Sequence, residues 1–146
     1  KRVPLIKLQE IIYSIPTPIS IVLIGGKAEF EQGEALKNER VINTCGLYNI
    51  NQSASLLQQS MLVISPDTGM IHIAAALKKP IKSIWGSTLA EYGFWPFYGS
   101  NHPDQNHSYE VKNLSCRPCA RFGKDHCPKG HFNCMMKQEF GDIGTL

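Results

Sequence analysis

The chain has 146 residues, 42% of them hydrophobic, and a formal net charge of +3 with its five histidines neutral. That length suits one domain with a substantial core. It contains no apolar run of about 18 residues that would cross a membrane as a helix, no signal-peptide pattern, and too little charge to argue for nucleic acid; the mild basicity suits an anionic ligand or a membrane surface.

Lys1 stands where a starting Met would be, and the chain begins on a loop, so it reads as a piece of a longer protein. Val3 to Ile15 reads as a helix with Pro4 in its first turn and Leu5, Leu8, Ile11, Ile12 and Ile15 on the inward side. Pro16-Thr17-Pro18 breaks it. Ile19 to Ile24 is an apolar strand ended by Gly25-Gly26. Lys27 to Asn38 reads as a polar helix weakened by Gly33, and Val41 to Thr44 as a short strand. Asn51 to Ser60 reads as a helix with Ser53 as its cap and Leu56 and Leu57 facing inward.

Met61 to Ile64 is a continuous apolar run, as a strand covered on both faces should be. Ser65-Pro66 closes it, because Pro cannot donate to a ladder. Asp67 or Thr68 caps the next element, Gly69 allows a tight turn, and Ile71, Ala74, Ala75 and Leu77 follow helical spacing. Lys78-Lys79-Pro80 ends that helix, and Ile81 to Trp85 is the next strand, followed by Gly86-Ser87-Thr88. Strands alternating with helices over short connections argue for an α/β fold with a Rossmann-like doubly wound parallel sheet. Leu89 to Gln105 is rich in aromatics, Gly and Pro, and is either a loop packed on the sheet edge or a wall for a base or sugar. Tyr109 and Val111 mark one more strand, Cys116 to Cys134 a loop, and Met135 to Phe140 a closing helix.

A helix that starts at the carboxyl end of a parallel strand offers free N–H groups and a positive dipole end to an anion. Asp67, Thr68 and His72 crowd that start. A bare phosphate would not favour Asp67, so a hydroxylated group beside a phosphate, a nucleotide-sugar, fits better. The alternative is plain: Asp67 as a cap and His72 as a partly exposed helix residue. Gly25-Gly26, Asp67-Thr68-Gly69 and Gly86-Ser87-Thr88 all follow strands and would line one carboxyl edge as a row of free amides and hydroxyls suited to a diphosphate. Neither G-x-G-x-x-G nor G-x-x-x-x-G-K-[ST] is present, which disfavours a standard dinucleotide or P-loop site.

Cys116, Cys119, Cys127 and Cys134 follow C-x2-C-x7-C-x6-C. Four thiolates at that spacing could hold a structural zinc, with His126 and His131 as spare ligands; reduced structural cysteines and a disulfide pair are the other readings. The cations Arg117, Arg121, Lys124 and Lys129 in the same segment could meet a membrane or acidic lipid headgroup.

Ser65-Pro66-Asp67-Thr68-Gly69-Met70-Ile71-His72, Ala74-Ala75-Ala76-Leu77, Pro80 and Gly86-Ser87-Thr88 resemble the family-nine glycosyltransferases, the ADP-heptose:lipopolysaccharide heptosyltransferases. So does the tail Cys116-Arg117-Pro118-Cys119 … Cys127-Pro128 … Cys134-Met135. Lys1-Arg2-Val3-Pro4 resembles the family's Lys-x-Trp-Pro, with Val3 in place of Trp, and Gly25-Gly26 with Glu29 its nucleotide-binding turn. The resemblance covers nearly the whole chain and implies a B-type glycosyltransferase: two facing Rossmann-like domains with the active site between them. Residues 1–146 would be the C-terminal, donor-binding half, with 114–136 a cysteine-rich tail, and an N-terminal acceptor domain carrying the catalytic base would lie outside this chain.

The resemblance assigns Asp67, Thr68, Gly69 and His72 to the diphosphate and heptose, Lys1 to phosphate, and Glu29 (or Glu31) to the ribose or adenine side. Gly86 and Thr88 would line the phosphate turn. It implies an inverting transfer from an ADP-sugar to a lipopolysaccharide-type acceptor with no cofactor required, a cytoplasmic location peripheral to the inner membrane, and an isolated domain that binds donor weakly and transfers nothing. Two alternatives from other classes stay open: a zinc-stabilised binding module and a sugar-nucleotide epimerase-like domain.

Overall fold

A computed structural model describes residues 2–124 and 126–145. Pro4, in extended conformation, precedes α1 (Leu5–Ser14), and Ile11 and Ile12 are its buried apolar residues. Leu5, expected to face inward, is exposed, while Lys7 is buried: its ammonium donates to Glu10 at 2.7 Å and to the Gln138 carbonyl at 3.0 Å. The polar helix expected over residues 27–38 shortens to a 3-10 turn (Lys27–Glu29) and α2 (Phe30–Glu34). Gly33 is a packing requirement rather than a weakness, since a Cβ there would come within 2.2 Å of the Asn43 side chain. Asn49, not Ser53, caps α3 (Ile50–Gln59): its side chain accepts from Gln52 N–H at 3.0 Å, and the Gln52 side chain accepts in return from Asn49 N–H, a reciprocal pair that satisfies two backbone donors. Ser53 is instead buried beside Leu57.

The strands are β1 (Ile21–Leu23), β2 (Val41–Asn43), β3 (Val63–Pro66), β4 (Ile81–Trp85) and β5 (Asn106–Glu110), all in parallel pairs. The parallel α/β architecture expected from the alternation is present, and its ladders run in two pieces: β1 with β2, and β3-β4-β5 in that order. The apolar run is displaced relative to its strand. Met61 is two-thirds exposed (67%), and β3 begins at Val63 and takes in Ser65 and Pro66 as its last residues.

The three-stranded sheet is covered on both faces, as all-parallel sheets are. Along β4, Ile81 and Trp85 pack with Leu57 of α3 and with Ile71, Ala74 and Ala75 of α4 (Gly69–Ala76). Ile84 points to the other face, against Ile11, Tyr109, Met135, Phe140 and Ile143. The closing helix is shorter and earlier than expected, α5 (Asn133–Met136), and Phe140 follows it in the same apolar cluster. Leu8 of α1 joins that cluster to a smaller one of Ile12, Leu36 and Val41 under the β1-β2 pair. The opposite face of β1-β2 is bare: Val22 and Ile42, cross-strand partners, are 41% and 53% exposed. Among the described residues no helix is long and apolar enough to cross a membrane.

Candidate functional site

Because β3 and β4 are parallel, with Pro66 opposite Ile84, the turns that follow them emerge on the same carboxyl edge. Thr68 is extended and caps α4: its hydroxyl accepts from Met70 N–H at 3.3 Å and lies 3.1 Å from the Ser65 hydroxyl. Of the two capping candidates, Thr68 takes the role because Asp67 is turned inward. Asp67 is only 5% exposed, and its Oδ2 accepts a hydrogen bond from Thr88 Oγ1 at 2.9 Å; Thr88 is 1% exposed. The residues after β3 and after β4 are thus cross-bonded beneath the surface. Above them Thr68, Gly69 and His72 are exposed, and a Cβ on Gly69 would meet nothing within 4 Å. The start of α4 therefore faces solvent with the positive end of the helix dipole, and although Thr68 takes up the Met70 and Ile71 N–H groups, it does not cover Gly69.

The Gly86-Ser87-Thr88 turn is not the row of free hydroxyls the sequence suggests. The Thr88 hydroxyl is committed to Asp67, and the turn's carbonyls are gripped by the cysteine-rich segment. Arg117 donates from Nε to Gly86 O at 2.6 Å and from Nη2 to Thr88 O at 3.0 Å, while Cys119 N–H donates to Ser87 O at 3.3 Å. Arg117 also pairs with Glu110 at 2.6 Å, and its side chain is 6% exposed. This corrects its reading as a membrane-facing cation: a buried guanidinium with a carboxylate and several carbonyls in reach is a structural clamp. Nothing in the C-R-P-C spacing signals that role. Gly86 leaves room for the buried Met135: a Cβ there would come within 2.6 Å of its Cε, so the methionine tip would have to shift.

The turn after β1 is built differently. Glu29 folds back over it, its Oε2 accepting from Gly26 N–H at 3.0 Å and its Oε1 pairing with Arg2 at 2.5 Å on the surface. The Gly26 amide, expected to be free, is occupied by this carboxylate. Gly25 lies over the buried Cys45, where a Cβ would come within 3.0 Å of Sγ. Glu31 is in the first turn of α2. Lys1 lies outside the described residues.

The fold brings Cys119, Cys127, Cys134 and His126 to the lining of one small pocket. Among the described residues no group of three or more His, Cys, Asp or Glu side chains is arranged to hold an ion. The sulfurs have other partners: Cys119 Sγ–H donates to Cys116 O at 3.0 Å, Cys127 Sγ accepts Phe132 N–H at 3.3 Å, and Cys134 is buried in the core with Met135 and Ile84. All five cysteines are free thiols. The Phe132 amide, helped by those of Lys129, Gly130 and His131, holds the Cys127 thiol below its ordinary value, because hydrogen bonds to a thiolate favour the charged form. Burial pushes Cys119 and Cys134 upward.

Comparison with known proteins agrees with this architecture. The family model for "Glycosyltransferase family 9 (heptosyltransferase)" matches residues 13–126. A "Lipooligosaccharide heptosyltransferase 2" of Haemophilus influenzae is 28% identical over 80 residues, 50% of this chain and 23% of that protein. Its counterpart from Haemophilus ducreyi is 34% identical over 95 residues, 59% of this chain and 27% of that one. The chain therefore spans about a quarter of the length of the curated relatives it matches. Among solved structures, Escherichia coli ADP-heptose lps heptosyltransferase II superposes with a TM-score of 0.65 at 19% identity, over 94% of this chain and 41% of that one. A glycosyl transferase family 9 protein from Veillonella parvula gives 0.62 at 16% identity, over 92% and 37%. At those identities the structural likeness speaks for the fold. With the family match running through β1 to β5 and both site turns, the chain belongs to glycosyltransferase family 9, the heptosyltransferase family.

Proposed function

We propose that this chain is the donor-binding half of an inverting glycosyltransferase, moving a heptose or similar sugar from an ADP-sugar to a lipopolysaccharide core acceptor. One observation carries the reading: the exposed start of α4 at Thr68-Gly69, set over a buried Asp67–Thr88 hydrogen bond at the carboxyl edge of a parallel sheet. As the bond from the sugar to ADP breaks, negative charge grows on the diphosphate. Fixed donors already aimed at that position stabilise it without reorganisation. The Gly69 amide at the start of α4 and the Thr68 hydroxyl are such donors, the positive end of the helix dipole adds to them, and His72, one turn in, supplies a ring nitrogen. Asp67 acts from beneath, holding the two turns in register through Thr88. The base that deprotonates the acceptor hydroxyl comes from residues outside this chain, so the domain alone binds donor and transfers nothing.

Titration with ADP, followed by backbone amide NMR shifts, tests the site. Shifts are expected to centre on Thr68, Gly69 and His72, and His72→Ala should weaken binding about tenfold, the loss of one hydrogen-bond contact to the anion. Unchanged affinity in both Thr68→Ala and His72→Ala would remove the α4 start from the site. For the parent protein, a product with retained anomeric configuration would overturn the direct displacement.

A further inference from the structure

Beside the proposed donor site lies a cleft that the reaction above does not use. It measures about 300 Å³ and sits where β4 and β5 end under the aromatic loop, lined by Trp85, Glu91, Trp95, Ser108 and Glu110. We propose that it binds the ring of a neutral sugar, as a glycan subsite separate from the diphosphate site.

Its lining selects the ligand by elimination. Both indole N–H groups are already committed: Trp95 Nε1 donates to Asp104 at 2.6 Å and Trp85 Nε1 to Ser83 Oγ at 2.8 Å. Trp95 therefore offers an aromatic face but no donor, and Trp85, 1% exposed, only floors the cleft. Glu91 and Glu110 supply acceptors. A ligand that fits must bring its own O–H donors and a face of C–H groups to lie on an indole, which is the chemistry of a sugar ring. A phosphate is repelled by Glu91, whose charge no cation of the lining offsets, so the cleft does not favour the donor's diphosphate. An organic cation is disfavoured because Glu110 is already paired with Arg117 at 2.6 Å, leaving Glu91 as the one uncompensated charge of the lining. The volume lies at the small end of ligand sites and suits one or two sugar rings. Asp104 fixes the Trp95 ring, which is partly exposed, so the platform is in place before a ligand arrives. Arg117 ties the cleft to the donor side, since the same guanidinium holds Glu110 and the Gly86 and Thr88 carbonyls.

The chain has two tryptophans, and Trp95 is the one whose ring is open to the cleft, so its indole N–H signal in a ¹H–¹⁵N spectrum reports on the site directly. Titrating the 146-residue chain with methyl α-mannopyranoside is expected to move the Trp95 indole signal with a saturable, millimolar response, and the buried Trp85 signal far less. Glu91→Gln should weaken that response about tenfold, the effect of losing a charged acceptor, with unchanged far-UV circular dichroism. ADP is expected to leave the Trp95 indole in place whether or not it binds at α4, which separates this site from the donor site. A Trp95 indole signal that stays fixed in the glycoside titration would overturn the proposal. So would tetramethylammonium moving it where the glycoside does not, because the cleft would then be a cation cage.

Discussion

The turn after β1 and the turn after β3 look alike in sequence, each a strand followed by a glycine-bearing bend, yet they are held by different physics. Asp67 and Thr88 bond to each other out of water, and the turn that carries Thr88 is gripped from behind by Arg117. At Gly25-Gly26 the side-chain hydrogen bond comes from Glu29, itself paired with an exposed Arg2. Buried polar contacts leave a costly orphan when one partner is removed, whereas exposed ion pairs are largely replaced by water. The β3–β4 edge is thus a fixed frame, and the β1 turn a surface that solvent and ligand can rearrange.

Arg117→Ala is the severest way to test that contrast. It strands Glu110 and three carbonyls, and a loss of about 3 kcal/mol is expected in chemical denaturation. Thr88→Val keeps the shape but leaves buried Asp67 without its hydroxyl donor, for an expected loss of about 2 kcal/mol; a loss below a few tenths would mean that Asp67 is adequately served by its other surroundings. Thr68→Ala removes the α4 cap and should cost about 1 kcal/mol. Arg2→Ala, the matching cut at the β1 turn, should cost about 0.5 kcal/mol or less and disappear in high salt. Equal effects for Arg2→Ala and Thr88→Val would collapse the distinction.

The contrast extends to the thiols. Cys127, with amides pointing at its sulfur and its pKa lowered, carries more thiolate at neutral pH than Cys119 or Cys134, whose values burial raises. Iodoacetamide should therefore label Cys127 first as pH rises from below neutrality, with the other two following at higher pH. Peptide mass spectrometry reads the order, and prior labelling of Cys134 would show that core side to be open.

Much of the frame was legible because it rests on local rules. Alternating apolar runs and helical spacings gave five parallel strands, and the capping chemistry of Asp67-Thr68 located the start of α4 within one residue. Side-chain destinations were less legible where a short run has no period to read. Leu5 and Met61 look buried by composition but are exposed, and so are Val22 and Ile42, which share one face of β1 and β2 that no other described element covers. The cysteine spacing predicted a shared neighbourhood, and Cys119, Cys127 and Cys134 do line one small pocket, but which group bonds each sulfur depends on where the fold brings Phe132 and the core.

By itself, the sequence determined the α/β class, the family and the helix start that faces the proposed donor, because strand runs, caps and short motifs are encoded within a few neighbouring residues. Only the tertiary structure decided that Asp67 meets Thr88, 21 residues away, that Arg117 reaches back 31 residues to clamp Gly86, and that Trp85 and Trp95 share a cleft. Those contacts depend on how parallel strands align their ends, and no local pattern carries that information.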